Sequence, residues 1–288
     1  MWPIVYDFGI IQILGFEFHL AIYSYGLMLV VAFYTCYALL FKEMKRLNYN
    51  ENIASDIVTS AALGGIIGSK IYYLIENIDR VIIDPYGMIF SGAGLVFLGG
   101  LMGGTIGVTI VLKKNRLPWL QFADIIAPLL IIGYSIGRIG CFLVGDDYGL
   151  PTKSIIGISF EMGAPPTTYE SLAYNYPWLD ISNWNPGDII TVYPTQIIES
   201  ILGFGIFIFL WNKREDITTQ GSLFFIYLII AGMERFFIEF IRLNPKYLWI
   251  VKDVIGFSGA QVISLIMVGI GIYLLINPPK NAETKEAT

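Results

Sequence analysis

Long apolar stretches separated by short polar turns dominate the pattern along this chain. Each stretch runs for about 20 residues with few charges, which is the length that an α-helix needs to cross a bilayer. We therefore expect an all-α polytopic membrane protein in which residues 1–277 form a single seven-helix membrane domain. The seven predicted membrane-spanning helices cover residues 20–41, 54–75, 95–112, 119–136, 195–211, 222–241 and 254–276.

Basic residues are unevenly distributed among the turns. The turns after the first, third and fifth stretches, together with the C-terminal tail, hold ten of the 18 Lys and Arg residues. Because basic turns stay in the cytoplasm, we predict a cytoplasmic C-terminus and, with seven spans, an N-terminus outside. Residues 154–212 contain no Lys or Arg, which predicts a periplasmic loop or subdomain at about 141–192. The polar tail at 278–288 is predicted to be disordered.

The composition supports a membrane location and excludes other classes. Charged residues make up 14% of the chain, against about 25% in soluble domains. The net charge of −5 argues against nucleic acid as a partner. Two cysteines and one histidine, widely spaced, form no ligand set, so neither a metal nor another cofactor is expected. The N-terminal region carries Asp7 and Glu17 and no basic segment, which predicts no cleavable signal peptide.

One polar stretch follows directly on the fourth apolar run. Residues 137–149 read Gly-Arg-Ile-Gly-Cys-Phe-Leu-Val-Gly-Asp-Asp-Tyr-Gly. A charge at the depth of Arg138 is costly, which indicates a partner or a substrate for it. The glycines and aspartates predict that the helix breaks here into a tight polar loop. We interpret the stretch as an anion-handling site at the rim of the bilayer.

The sixth stretch ends with further charges. Arg235, Glu239 and Arg242 are four and three residues apart and so share one helix face. On the predicted topology they lie on the same outer side as Arg138. Three arginines and one glutamate leave excess positive charge, and guanidinium groups bind phosphate oxygens in pairs. The alternative is a purely structural Arg–Glu network. It is the stronger interpretation for Arg242 alone, whereas Arg138 and Arg235 together favour a phosphate site.

Other polar residues interrupt the apolar stretches. Glu199 lies about one turn inside the fifth stretch, on the same face as Gln196, and needs a partner there. Tyr25 either hydrogen-bonds a substrate or anchors its helix at the interface. Gln261 either adds an amide to a cavity or makes an inter-helix hydrogen bond. In the second and third helices, glycines spaced four apart favour close helix packing.

Five motifs in register over nearly the whole chain resemble the prolipoprotein diacylglyceryl transferase family. They are Tyr25-Gly26-Leu27-Met28, Gly137-Arg138-Ile139-Gly140 followed by Phe142, Gly145 and Gly149, Tyr193-Pro194-Thr195-Gln196 with Glu199, Arg235-Phe236 with Glu239-Phe240 and Arg242, and Ser258, Gln261 and Ser264. The resemblance implies transfer of the diacylglyceryl group of phosphatidylglycerol to the lipobox cysteine of a preprolipoprotein. Glycerol phosphate would leave. It further implies a multi-pass protein of the bacterial inner membrane that contacts membrane lipid and a preprolipoprotein signal peptide.

The resemblance also implies roles for particular residues. Arg138 and Arg235 would bind the lipid phosphate, with Asp146 and Glu239 orienting them. Tyr25 and Gln196 would hydrogen-bond the donor lipid. The remaining residues expected at the substrate site are Gly99, Gly100, Glu199, Arg242 and Gln261.

The sequence departs from the family pattern at several positions. Leu98 stands where the family carries the histidine of a His-Gly-Gly motif, and Cys141 replaces the signature asparagine. The general base therefore stays open among Asp146, Asp147 and Tyr25. Two alternatives to the transferase are a paralogue that binds lipid or signal peptides without catalysis or uses another acceptor, and a transporter or channel. Intramembrane charges such as Lys70, Asp124 and Glu199 motivate the second.

Overall fold

The computed structural model describes residues 2–13, 16–90, 96–246, 248–251 and 255–279. Within them the protein is mostly helical, and two short antiparallel ribbons accompany the helices. The predicted tail at 278–288 lies outside the described residues except for its first two positions. The helices are α1 (Ser24–Arg46), α2 (Ile53–Glu76), α3 (Ile78–Ile83), α4 (Pro85–Phe90), α5 (Phe97–Lys114), α6 (Trp119–Val144), α7 (Tyr169–Asn175), α8 (Thr195–Lys213), α9 (Ser222–Ile238) and α10 (Gly259–Ile276).

Six helices among the described residues are long and apolar enough to cross a membrane, namely α1, α2, α5, α6, α8 and α10. This agrees with a polytopic membrane protein. Helix α9 covers most of the sixth predicted stretch and is 17 residues long. Helix α6 continues to Val144, eight residues beyond the predicted end of its stretch.

The ribbons were not predicted. Strands β1 (Ile4–Ile13) and β2 (Phe16–Tyr23) pair antiparallel, as do β3 (Leu248–Val251) and β4 (Ile255–Phe257). The first and last predicted spans therefore begin later than expected, at Ser24 and Gly259. Periodicity alone does not distinguish a short apolar strand from the end of a buried helix, which explains both errors.

The described residues fall into two compact units. One joins the chain up to Ala32 to the chain from Ile126 onward, and the other is Phe33–Ile125. In the second unit α2 packs on α5 through their glycines. A Cβ atom on Gly99 would lie 2.5 Å from the Gly68 carbonyl oxygen. This contact is the close approach predicted for helices with small residues spaced four apart.

In the first unit, α6, α8 and α9 enclose an apolar core around Ile131, Leu210 and Leu223. A second core lies in the segment between α6 and α8. It includes Tyr148, Phe160, Leu172, Ile181, Ile190 and Val192, with Leu243 from the turn after α9. Trp184 packs against this second core, whereas Trp178 is exposed. The segment after α6 therefore has a packed interior that fixes the loop beginning at Gly145.

Candidate active site

Charged residues of the first unit meet where α6, α8 and α9 end or begin. Arg138 comes from the last two turns of α6, Glu199 from the first turns of α8, and Arg235 from the last turn of α9. Glu239 and Arg242 belong to the turn that follows α9. These helix ends bring together residues up to 104 positions apart in the sequence, as the pattern of intramembrane charges predicted.

Glu199 forms the centre of the cluster. Its carboxylate forms an ion pair with Arg138 Nε at 3.2 Å and accepts from Arg235 Nη1 at 3.0 Å and from Arg242 Nη1 at 3.0 Å. The Tyr134 hydroxyl donates to the same carboxylate at 3.0 Å, and the Tyr134 ring lies 5.1 Å from the Arg138 guanidinium carbon. The Glu199 side chain is fully buried. Such a charge persists in an apolar surrounding only when it is paired and hydrogen-bonded, and these contacts supply both.

Two further carboxylates complete the cluster. Glu239 forms an ion pair with Arg235 Nη2 at 3.0 Å through Oε2, and its Oε1 accepts from the side chains of Asn244 and Ser258 at 2.8 and 2.7 Å. Asp147 accepts from Arg138 Nη1 at 2.7 Å and from Arg242 Nη2 at 3.1 Å through one oxygen, Oδ2. Asp147 is thus the aspartate that pairs with the arginines, and the orienting role expected for Asp146 stays a prediction.

The charge balance differs from the expectation. Three arginines and one glutamate were expected to leave excess positive charge, but the structure places three carboxylates among the three guanidinium groups. The error arose because Glu199 and Asp147 lie on other elements and were counted separately. The arginine side chains range from 25% exposed for Arg235 to 5% for Arg242. Arg235 and Arg138 are thus the guanidinium groups that a ligand reaches most easily.

The loop after α6 is held at several points. Gln196 is fully buried and its Nε2 donates to the Asp146 carbonyl at 2.6 Å. The Thr195 hydroxyl donates to the Asp147 carbonyl at 3.0 Å. Gly149 bridges to Arg242 in an antiparallel pair, and a Cβ atom there would lie 2.5 Å from the Ile241 carbonyl oxygen. Only glycine permits that approach, so the loop stays close to the Arg242 backbone.

The two neighbouring aspartates differ in acidity. Burial alone would raise the pKa of Asp147, but the Arg242 and Arg138 guanidinium groups outweigh it and lower that pKa to about 2. Burial raises the pKa of Asp146 above its ordinary value, and the contact with the Cys141 thiol and the nearby arginines offsets this only in part. Asp147 is therefore the stable anion of the pair, and Asp146 the better proton acceptor.

Other predicted site residues are found in different surroundings. Tyr25 lies on the first turn of α1 beside Gly140, whose missing side chain leaves room for the Tyr25 ring. Gly140 lies within α6 and serves helix packing. The predicted break comes after Val144, at Gly145, whose φ is 75°. Gln261 is buried and forms a capping box with Ser258 at the start of α10. The amide of Gln261 also donates to the Phe236 carbonyl, at 3.4 Å.

Gly99 and Gly100 lie in the second unit, at the start of α5, where both face α2. Leu98 precedes them on the first turn of α5. The substrate-binding role expected for these glycines stays a prediction. Lys70, also in this unit, lies over the ring of Tyr73 at 5.5 Å.

Two contributors to the cluster, Tyr134 and Asn244, were not predicted from the sequence. Tyr134 is four residues before Arg138 on the same face of α6, and this spacing was a signal available in the sequence. Asn244 lies beyond α9 and contacts Glu239 through a turn that periodicity does not predict. Among the described residues no group of three or more His, Cys, Asp or Glu side chains is arranged to hold a metal ion.

Comparison with known proteins shows which family this chain resembles. Residues 12–277 match the family model described as prolipoprotein diacylglyceryl transferase. Three similar curated proteins are named phosphatidylglycerol–prolipoprotein diacylglyceryl transferase. The one from Clostridium tetani is 34% identical over 89% of this chain and 93% of its own. A second, from Clostridium perfringens and numbered 2, is 35% identical over 95% and 97%. The protein from Chlorobaculum tepidum is 31% identical over 93% and 89%.

Proposed function

Because the chain belongs to the prolipoprotein diacylglyceryl transferase family, we propose that it transfers a diacylglyceryl group from phosphatidylglycerol to the lipobox cysteine of a preprolipoprotein. The names of its relatives support both substrates. The observation that carries the proposal within this chain is the cluster of Arg138, Arg235 and Arg242 around Glu199.

The arginine cluster suits the leaving group of this reaction. The acceptor sulfur forms a bond to the glyceryl carbon, the bond from that carbon to the phosphate oxygen breaks, and glycerol phosphate leaves with the electron pair. Negative charge therefore develops on a phosphate oxygen, and preorganised guanidinium groups stabilise it. Glu199 and Glu239 hold the guanidinium groups in position, so little reorganisation is needed during the reaction.

The nucleophile comes from the acceptor protein, whose thiol must lose a proton. A thiol has a pKa of about 8.5, so an acceptor carboxylate works best when its own pKa is raised. Asp146 fits this requirement better than Asp147, whose carboxylate is held as an anion by two arginines. We assign the proton to Asp146, with Tyr25 and Gln196 as hydrogen-bond partners of the donor lipid.

The proposed topology has seven spans in the bacterial inner membrane. They are the six long apolar helices and α9, which lies between α8 and α10 in the chain. At 17 residues α9 is about 26 Å long, slightly less than the ~30 Å hydrocarbon core. Basic residues in the last turns of α1, α5 and α8 support a cytoplasmic location for those ends. The N-terminus and the arginine cluster would then be on the periplasmic side, where the signal-peptide segment of the acceptor and the lipid headgroup meet.

Reconstituted transfer tests the proposal. Wild-type protein in phosphatidylglycerol vesicles should modify a lipobox peptide that carries cysteine and should leave the matching serine peptide unmodified. Arg138→Ala and Arg235→Ala should each lower the transfer rate by about a hundredfold or more, the loss typical of removing a charge-stabilising donor. Arg80→Ala, at an exposed position on α3, should transfer normally. Absence of transfer by the wild type, or full activity in both cluster variants, contradicts the proposal.

A further inference from the structure

The Asp147 side chain is much more exposed than those of the other two carboxylates of the cluster, Glu199 and Glu239. The Glu199 and Glu239 side chains are 0% and 1% exposed, whereas the Asp147 side chain is 49% exposed. Yet a single Asp147 oxygen bridges Arg138 and Arg242 at 2.7 and 3.1 Å. The Asp147 carboxylate thus lies on the accessible side of two guanidinium groups that are much less exposed than it is, at 14% for Arg138 and 5% for Arg242.

The backbone around Asp147 is fixed although its side chain is not enclosed. The carbonyl groups of Asp146 and Asp147 accept from Gln196 and Thr195 at 2.6 and 3.0 Å. Asp147 itself has a positive φ of 57°, and these bonds help to hold that uncommon conformation. The carboxylate can therefore leave the arginines by side-chain rotation while the loop stays in place.

A carboxylate oxygen and a phosphate oxygen bind a guanidinium group with similar geometry. Both are anionic acceptors that bind the N–H fork at about 2.7–2.9 Å. The net charge of the cluster is balanced only while Asp147 is counted. Two further carboxyl groups, those of Asp146 and Glu234, lie near the same arginines. A phosphate that entered beside Arg138 and Arg242 would therefore add negative charge to a site without excess positive charge unless Asp147 moved away.

We infer that Asp147 is a resting counter-ion that occupies the phosphate position of the empty site, is displaced by the headgroup phosphate of the donor lipid, and returns when glycerol phosphate departs. This inference rests on the proposed function and adds a residue that sets affinity for substrate and product. In this role Asp147 weakens phosphate binding and speeds product release. It touches the arginines directly and takes no part in bond making.

Asp147→Asn provides the sharpest test because it removes the charge and keeps the shape and an acceptor oxygen. Two partly exposed ion pairs no longer compete with the phosphate, so glycerol phosphate should bind the variant about fivefold to tenfold more tightly than the wild type. In the vesicle assay, product inhibition should strengthen by a similar factor, and the KM for phosphatidylglycerol should fall together with kcat. Asp180→Asn removes an equal charge from an exposed carboxylate that accepts from the Ser182 backbone, and it should match the wild type.

Weaker binding of glycerol phosphate by the Asp147 variants would identify Asp147 as a positioning residue. If Asp147 only holds the arginines in place, Asp147→Asn and Asp147→Ala will bind glycerol phosphate less tightly, and the inference is overturned. Equal affinity overturns it as well. Melting curves of both variants establish that they fold. Asp147→Ala provides a second measurement of the affinity for glycerol phosphate without the Asp147 carboxylate. Wild-type transfer in the same vesicles separates the two failures. If the wild type transfers lipid but Asp147→Asn gains no affinity for glycerol phosphate, only this inference fails, whereas a wild type that transfers no lipid overturns the proposed function.

Discussion

Replacing Glu199 by glutamine would disrupt the cluster at its centre. The substitution keeps the size of the side chain and leaves three guanidinium groups without the carboxylate that contacts all of them. Removing one partner from a buried ion pair costs about 3–5 kcal/mol, because a buried charge is left uncompensated. Here Arg242 suffers most, because its side chain is almost fully buried.

The predicted loss is measurable by thermal unfolding of purified protein in detergent. At about 2–4 °C for each kcal/mol, Glu199→Gln should lower the melting temperature by roughly 6–20 °C. Glu161→Gln, at an exposed position of the segment after α6, serves as the control and should melt like the wild type. Since removing Arg242 also removes the uncompensated charge, Glu199→Gln combined with Arg242→Gln should be less destabilised than the sum of the single variants.

Two results would refute this reasoning. A melting temperature of Glu199→Gln equal to that of the wild type would show that the buried ion pairs contribute nothing net. Strict additivity of the two substitutions would show that Glu199 and Arg242 are not energetically coupled. Either result would also weaken the argument that the arginines are preorganised for a phosphate.

Three more predictions concern single contacts. Because the pKa of Asp147 is lowered to about 2 in the folded protein, its stabilising contribution is fully present above the ordinary carboxyl pKa and is lost as the pH falls through about 2. The difference in melting temperature between wild type and Asp147→Asn should therefore be constant from pH 8 to about 5 and should shrink only below about pH 4. A difference that changes near neutral pH would contradict the lowered pKa of Asp147. Tyr134→Phe removes a hydrogen bond to a charged group worth about 1.5–3 kcal/mol, so it should melt lower than the wild type but above Glu199→Gln. Gly68→Ala should destabilise the protein because the new Cβ atom would collide with the Gly99 carbonyl oxygen. Gly65→Ala on the same helix should be tolerated, because its new Cβ atom would lie 3.7 Å from the nearest atom, which is an ordinary contact. Equal melting temperatures of the two variants would disprove the packing argument.

The sequence predicted most of the cluster because helical spacing and hydrophobicity are local properties. Arg235 and Glu239, four residues apart, form the expected ion pair at 3.0 Å. Glu199 was expected to need a partner in the apolar zone, and it has three. The family resemblance that these motifs carried is confirmed by the match over residues 12–277.

The remaining features depend on tertiary structure. Which of two adjacent aspartates faces the arginines is decided by the bonds from Thr195 and Gln196 to the loop, and no spacing rule predicts them. The charge balance was misjudged for the same reason. The close contact of Gly140 with Tyr25 of α1 is also a tertiary feature, since the two residues are 115 positions apart in the sequence.

The central claim is that the arginine cluster binds the phosphate that leaves with the glycerol headgroup. Calorimetric titration of glycerol phosphate into purified wild-type protein and into Arg235→Ala tests it directly, with uncharged glycerol as the control ligand. Wild type should bind glycerol phosphate in a salt-sensitive manner, glycerol should not bind, and Arg235→Ala should lose most of the affinity. Equal binding of glycerol phosphate by the wild type and Arg235→Ala would contradict it.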